Sequence, residues 1–196
     1  MTIRSALVCL FLGLSASGCG SGTSGPLSAA DFGKKYKFSD NEVPGWTQTP
    51  VSDTDQNPYV FYATDPFPGW VDGDPGSCAE VPMDGGDVYT PNGCRVAMFQ
   101  DLVGPNSATN RAIAMDFVTA DKATAMFTYM QQNGYSTSIA GYDGSTALGS
   151  STLGGINVTA HFKASYFEVW LSGFADTTSA GAAAKLFLDV FKSKTN

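Results

Sequence analysis

Histidine is nearly missing from this 196-residue chain: His161 is the one copy. Without partner histidines or spare thiols, a zinc centre lacks its usual ligands. No serine sits in a Gly-x-Ser-x-Gly elbow, so a hydrolase of the common triad type lacks its parts. Basic residues are scarce too, 11 Lys and Arg against 18 Asp and Glu, for a formal charge of −7. None lies between Lys37 and Arg95, whereas ten acidic residues fall between Asp40 and Asp87. Such a surface repels phosphates and anionic head groups, which argues against a nucleic-acid partner and leaves any hold on a membrane to a lipid. P-loop, dinucleotide-binding and metalloprotease-helix motifs are absent, and no cofactor is expected.

Long apolar runs are also lacking. The longest, Ala6 to Leu14, has nine residues and as a helix would cover only ~14 Å of a ~30 Å hydrocarbon core. Preceded by Arg4 and followed by the small residues Ser15-Ala16-Ser17-Gly18, it reads as the core of an export signal, residues 1–18. The next residue is Cys19, then a Gly/Ser tract to Pro26 that reads as a flexible tether, residues 19–27. The remainder, 28–196, has the length of one domain.

Two cysteines remain beyond the leader and Cys19: Cys78 and Cys94. Export places them in an oxidising compartment and no other thiol competes, so they are expected to form a disulfide.

With 22 glycines, 10 prolines and only 15% charged residues, the chain is turn-rich. Prolines keep helix out of most of the acidic segment, where one short strand is expected near Pro58 to Ala63. Regular structure resumes at Cys94. Alternating residues predict strands over 95–100 and 111–118, and Thr119 caps a helix from Ala120 to Asn133 that Gly134 stops. A third segment runs from Tyr135 to Ala140, followed by loop glycines. Next comes a hairpin of 156–162 and 166–171 joined across Lys163-Ala164-Ser165, and a last helix from Ser179 to Lys192 burying Ala183, Leu186, Phe187, Val190 and Phe191. The expected fold is α+β: an antiparallel sheet with two main helices packed on it, and an irregular N-terminal half stapled by one disulfide.

Three features invite chemistry. His161 lies on the more polar face of its strand with Asn157 and Thr159, as a general base or an ordinary strand residue. Asp72, Asp74, Asp84 and Asp87 stand on glycine-rich loops and offer hard oxygen ligands for calcium, though the EF-hand spacing is not met. Tyr59, Phe61, Tyr62, Phe67 and Trp70 form an aromatic set that would line a sugar groove or fill a core.

Ala16-Ser17-Gly18-Cys19 resembles the lipobox of bacterial lipoproteins, with Ala where that family usually has Leu. The resemblance implies lipidation of Cys19; ordinary signal peptidase cutting near Ser17 or Gly18 is the alternative. Gly20, where Asp would favour inner-membrane retention, resembles outer-membrane cargo. Over residues 36 to 193 the chain is similar to exported bacterial proteins of unknown function and, more weakly through its Pro44-Gly45-Trp46 turn, to PsbP-like lipoproteins. These likenesses carry over no catalytic residue.

The expected function is a lipid-anchored, non-enzymatic interaction or ligand-binding module at the outer membrane, with a periplasmic or secreted form as the alternative location. Its partners would be the membrane, through the N-terminal lipid, and an envelope protein or glycan. The rival reading is an envelope hydrolase or calcium-assisted enzyme joining His161 to the acidic loops.

Overall fold

The computed structural model describes residues 27–49, 59–62, 78, 89–105 and 107–196. The leader, Cys19 and the tether up to Pro26 lie outside them.

Helix α1 (Ala29–Tyr36) starts where the Ser28 hydroxyl accepts the Asp31 N–H and buries Phe32 and Tyr36, one turn apart. Beyond it, Phe38 is clamped by buried Gln100, whose carboxamide accepts from the Phe38 N–H at 2.8 Å and donates to its carbonyl at 3.0 Å. Trp46 then plugs the core against the edge of Phe187. Gly104 is required beside it, because a Cβ there would come within 2.7 Å of the indole.

The strands are β1 (Thr47–Gln48), β2 (Tyr59–Tyr62), β3 (Cys94–Val103), β4 (Thr109–Phe117), β5 (Thr137–Ser138), β6 (Ala147–Thr152), β7 (Gly155–Phe162) and β8 (Ser165–Leu171). They form one antiparallel sheet in the order β1-β3-β4-β8-β7-β6-β5, with β2 also paired to β3. Strand alternation splits the core in two. One face carries Val96, Met98, Ala114, Val158, Phe167 and Val169 under α1 and α3 (Thr177–Lys194). The other carries Ala97, Phe99, Ile113, Met115 and Tyr166 under α2 (Ala120–Gln132).

The α+β fold with an antiparallel sheet and packed helices is as expected, and α2 has its Thr119 cap, its buried Ala123, Met126, Phe127 and Met130, and its stop at Gly134, where φ is +106°. Cys78 and Cys94 form the disulfide, with Cα atoms 6.1 Å apart.

Four expectations need correction. The glycines after Ala140 are not all loop: Ala147–Thr152 is β6, a full hairpin partner of β7. Gly149 belongs to that strand because Ile156 and Ile139 fill the space a side chain would need. The segment from Tyr135 to Ala140 contributes only two strand residues, Thr137–Ser138. The β7–β8 turn is Lys163-Ala164, and Ser165 is the first residue of β8, opposite Phe162. Helix α3 buries Ala180, Ala184, Phe187, Leu188 and Phe191 and leaves Leu186 exposed. Ala183 and Val190 only flank that stripe, on the face of the sheet that α3 shares with α1.

Candidate functional site

On the α2 side, the registers line side chains up in rows running across the strands. His161, Tyr166 and Met115 form one row; Thr159, Glu168 and Ile113 the next; Asn157, Trp170, Arg111 and Asp101 a third. The first two rows lie in the core under α2, with Thr159, Tyr166 and Glu168 fully buried. The polar face of β7 is therefore an inward face.

Glu168 is the centre of a knot. Leaving a carboxylate in an apolar core unpaired would cost several kcal/mol, so its oxygens must be satisfied. Tyr89 donates to Oε1 at 2.6 Å, Tyr166 to the same oxygen at 3.1 Å, and the Trp170 indole to Oε2 at 2.9 Å. Thr159 in turn donates to the Tyr166 hydroxyl. Desolvation pushes the Glu168 carboxyl above its ordinary value of 4.5, and the three donors oppose this by favouring the charged form. The phenols of Tyr89, Tyr166 and Tyr135 are raised by burial and then by the Glu168 charge, so they stay protonated, and Tyr89 and Tyr166 donate to the carboxylate. Because Tyr89 stands between the two half-cystines in sequence, the disulfide helps to hold its ring against the sheet.

The third row lies beyond α2 and lines an open cleft of about 300 Å³ with Asn110, Thr152, Leu171 and Ser172. Arg111 gives Nε and Nη2 to the two carboxylate oxygens of Asp101 at 2.7 and 2.9 Å and lies over the Phe99 ring at 4.7 Å. This bidentate grip uses two of the guanidinium's five N–H groups and fixes the rest in direction. The Asn157 carboxamide is half-buried, and among the described residues no group hydrogen-bonds it. Asn110, at the floor, is spent on the Ala108 carbonyl and the Ser172 N–H. The cleft thus presents fixed donors from Arg111, a donor–acceptor amide from Asn157 and the ring of Trp170, whose N–H is held from behind by Glu168.

His161 is oriented otherwise. Its Nε2 lies 2.9 Å from the Ser145 carbonyl, which can only accept, so that nitrogen carries the proton; Nδ1 faces the Thr124 hydroxyl at 3.5 Å and the ring packs on Phe127 at 5.0 Å. The imidazole ties α2 and the loop before β6 to β7.

Of the other sequence candidates, Phe67, Trp70, Asp72, Asp74, Asp84 and Asp87 lie outside the described residues, as does Cys19. Tyr59, Phe61 and Tyr62 are placed by backbone alone, in β2 opposite Phe99, Ala97 and Val96. Among the described residues no three His, Cys, Asp or Glu side chains gather as metal ligands, and no helix is long and apolar enough to cross a membrane. Sequence reading passed over Glu168 and Arg111. Glu168 had a signal: it is the one charge in Tyr166-Phe167-Glu168-Val169-Trp170, on the same strand face as two aromatic residues with polar hydrogens.

No protein family matches this chain, and no curated protein does. Among solved structures it is similar to the extracellular domain of PknH from Mycobacterium tuberculosis, with 14% identity, a TM-score of 0.47, and coverage of 85% of this chain and 98% of that one. That likeness is too loose to bear on function.

Proposed function

We propose that the chain is a lipid-anchored, non-enzymatic binding module of the cell envelope, exported by residues 1–18, held at the outer membrane through Cys19, and carrying a site for a neutral glycan in the Asp101–Arg111–Trp170–Asn157 cleft. The observation that carries the reading is the unspent hydrogen-bonding capacity of Arg111 and Asn157 beside an immobilised indole. Asp101 cancels the Arg111 charge locally, so an anion gains little there, and the acidic surface disfavours its approach. A polyhydroxylated ring suits the same groups. Each hydroxyl both donates and accepts, matching the guanidinium donors and the donor–acceptor carboxamide, while Trp170 offers an apolar surface. The Cys78–Cys94 disulfide suits an oxidising compartment. Calorimetric titration with neutral glycosides tests the cleft. Labelling with a fatty-acid analogue tests the anchor: label lost in Cys19→Ala supports it, and label retained removes it.

A further inference from the structure

We propose that the end of the domain bearing Lys34, Lys35, Lys163 and Lys192 faces the membrane and docks on the head groups of anionic phospholipids. The distance part of this inference rests on the Cys19 anchor; the charge part does not.

The chain is acidic overall, yet seven of its 11 Lys and Arg residues gather at one end. Lys34, Lys35 and Lys37 close α1, Lys192 and Lys194 lie in the last turn of α3, Lys163 is in the β7–β8 turn and Arg95 opens β3. Contacts tie these segments together. Lys163 Nζ donates to the Thr195 carbonyl at 3.0 Å and Lys194 Nζ to the Lys37 carbonyl at 2.8 Å. Leu27, Lys35, Arg95, Lys163 and Thr195 line one cleft of about 500 Å³.

Among the described residues the carboxylates at this end are engaged: Asp31 accepts from the Ser28 hydroxyl and Asp189 pairs with Lys185. Asp116 pairs with Arg95, and Glu42 with Lys194. Among the described residues, Lys34, Lys35, Lys163 and Lys192 have no ion-pair partner, and all four are exposed. Lys163 also sits at a φ of 57°, in a two-residue turn where Gly or Asn is the usual occupant. Beside the same cleft Val118 is 61% exposed, an apolar side chain at the rim of a basic patch.

Leu27, the first described residue, lines that cleft. Seven residues, Gly20 to Pro26, lie between it and Cys19, so the eight Cα steps reach at most ~28 Å fully extended. A lipid on Cys19 therefore keeps the basic end nearest the bilayer, where surface charge acts within a Debye length of ~8 Å. Net charge alone implies repulsion from such a surface, but the gathering of seven cations at one end lets that end approach.

The mature protein, taken from its own membranes and weighed intact for acyl chains, is placed in phosphatidylcholine vesicles with or without phosphatidylglycerol. Each lysine is then read by acetylation footprinting. Lys34, Lys35, Lys163 and Lys192 should lose several-fold of their reactivity on the anionic vesicles alone, high salt should restore it, and Lys185, midway along α3, should react alike on both. Equal acetylation of the four on both vesicles overturns the proposal. A mass without acyl chains removes the anchor, and the same protein is then floated: flotation with anionic vesicles only upholds the basic face, and flotation with neither or with both alike overturns it.

Discussion

Trp170 and Glu168 lie two residues apart on one face of β8, and the indole N–H of the first is given to the buried carboxylate of the second at 2.9 Å. One residue of that pair belongs to the cleft and the other to the core, so the packing under α2 fixes the ring that a ligand would meet. A site built this way loses little freedom on binding.

Replacing Glu168 by Gln keeps the shape but turns an acceptor into a donor facing other donors. The variant should lose about 2 kcal/mol of stability from the unsatisfied group, seen as a fall in melting temperature of several degrees. Trp170 emission should shift to the red as its ring is released. An unchanged melting temperature would mean that the knot does not hold the fold.

The same carboxyl gives a pH signature. Desolvation raises it above 4.5 in the folded chain, so the folded state binds its proton more tightly than the unfolded state. Its stabilising contribution is fully present below the unfolded value and is lost as pH rises through the raised folded value. Asp143 and Asp176, lowered by bonds from the Ser145 and Ser179 N–H groups, act in the opposite sense and are common to both proteins. The wild-type minus Glu168→Gln difference in unfolding free energy should therefore shrink with rising pH from about 4.5 upward. A difference that stays flat or grows contradicts the burial of this group.

Local chemistry made much of this fold legible. The Thr119 cap, the i, i+3, i+4, i+7 spacing of Ala123 to Met130 and the Gly134 stop are short-range signals, and α2 follows them. Strand β6 gave none, since Gly149, Ser150 and Ser151 look like loop until Ile156 is placed against Gly149. The cleft was hidden for a related reason. Asp101 and Arg111 are ten residues apart, and only the β3–β4 and β4–β8 registers bring them beside Trp170 and Asn157.

Helix α3 shows where periodicity alone misleads, because its apolar residues satisfy two overlapping stripes. Leu188→Ala should cost about 2–5 kcal/mol, as for a buried leucine. Leu186→Ala, at 39% exposure, should stay within about 0.5 kcal/mol of wild type. Chemical denaturation of the two variants decides; equal losses would place the helix in the other rotation.

Reduction of Cys78–Cys94, 16 residues apart in sequence, should lower stability by about 3 kcal/mol through the freed loop. Since Tyr89 lies inside that loop, the Trp170 emission should move in the same direction as in Glu168→Gln. A reductant that leaves both melting and emission unaltered would separate the disulfide from the knot.

The binding reading stands or falls on heat measured when methyl glycosides of neutral hexoses and of N-acetylglucosamine are titrated into the mature protein. Saturable binding of at least one of them, weakened about tenfold by Asn157→Ala through loss of its amide contacts, is the expected result. The absence of saturable binding by any of them, or binding that Asn157→Ala leaves untouched, would contradict it.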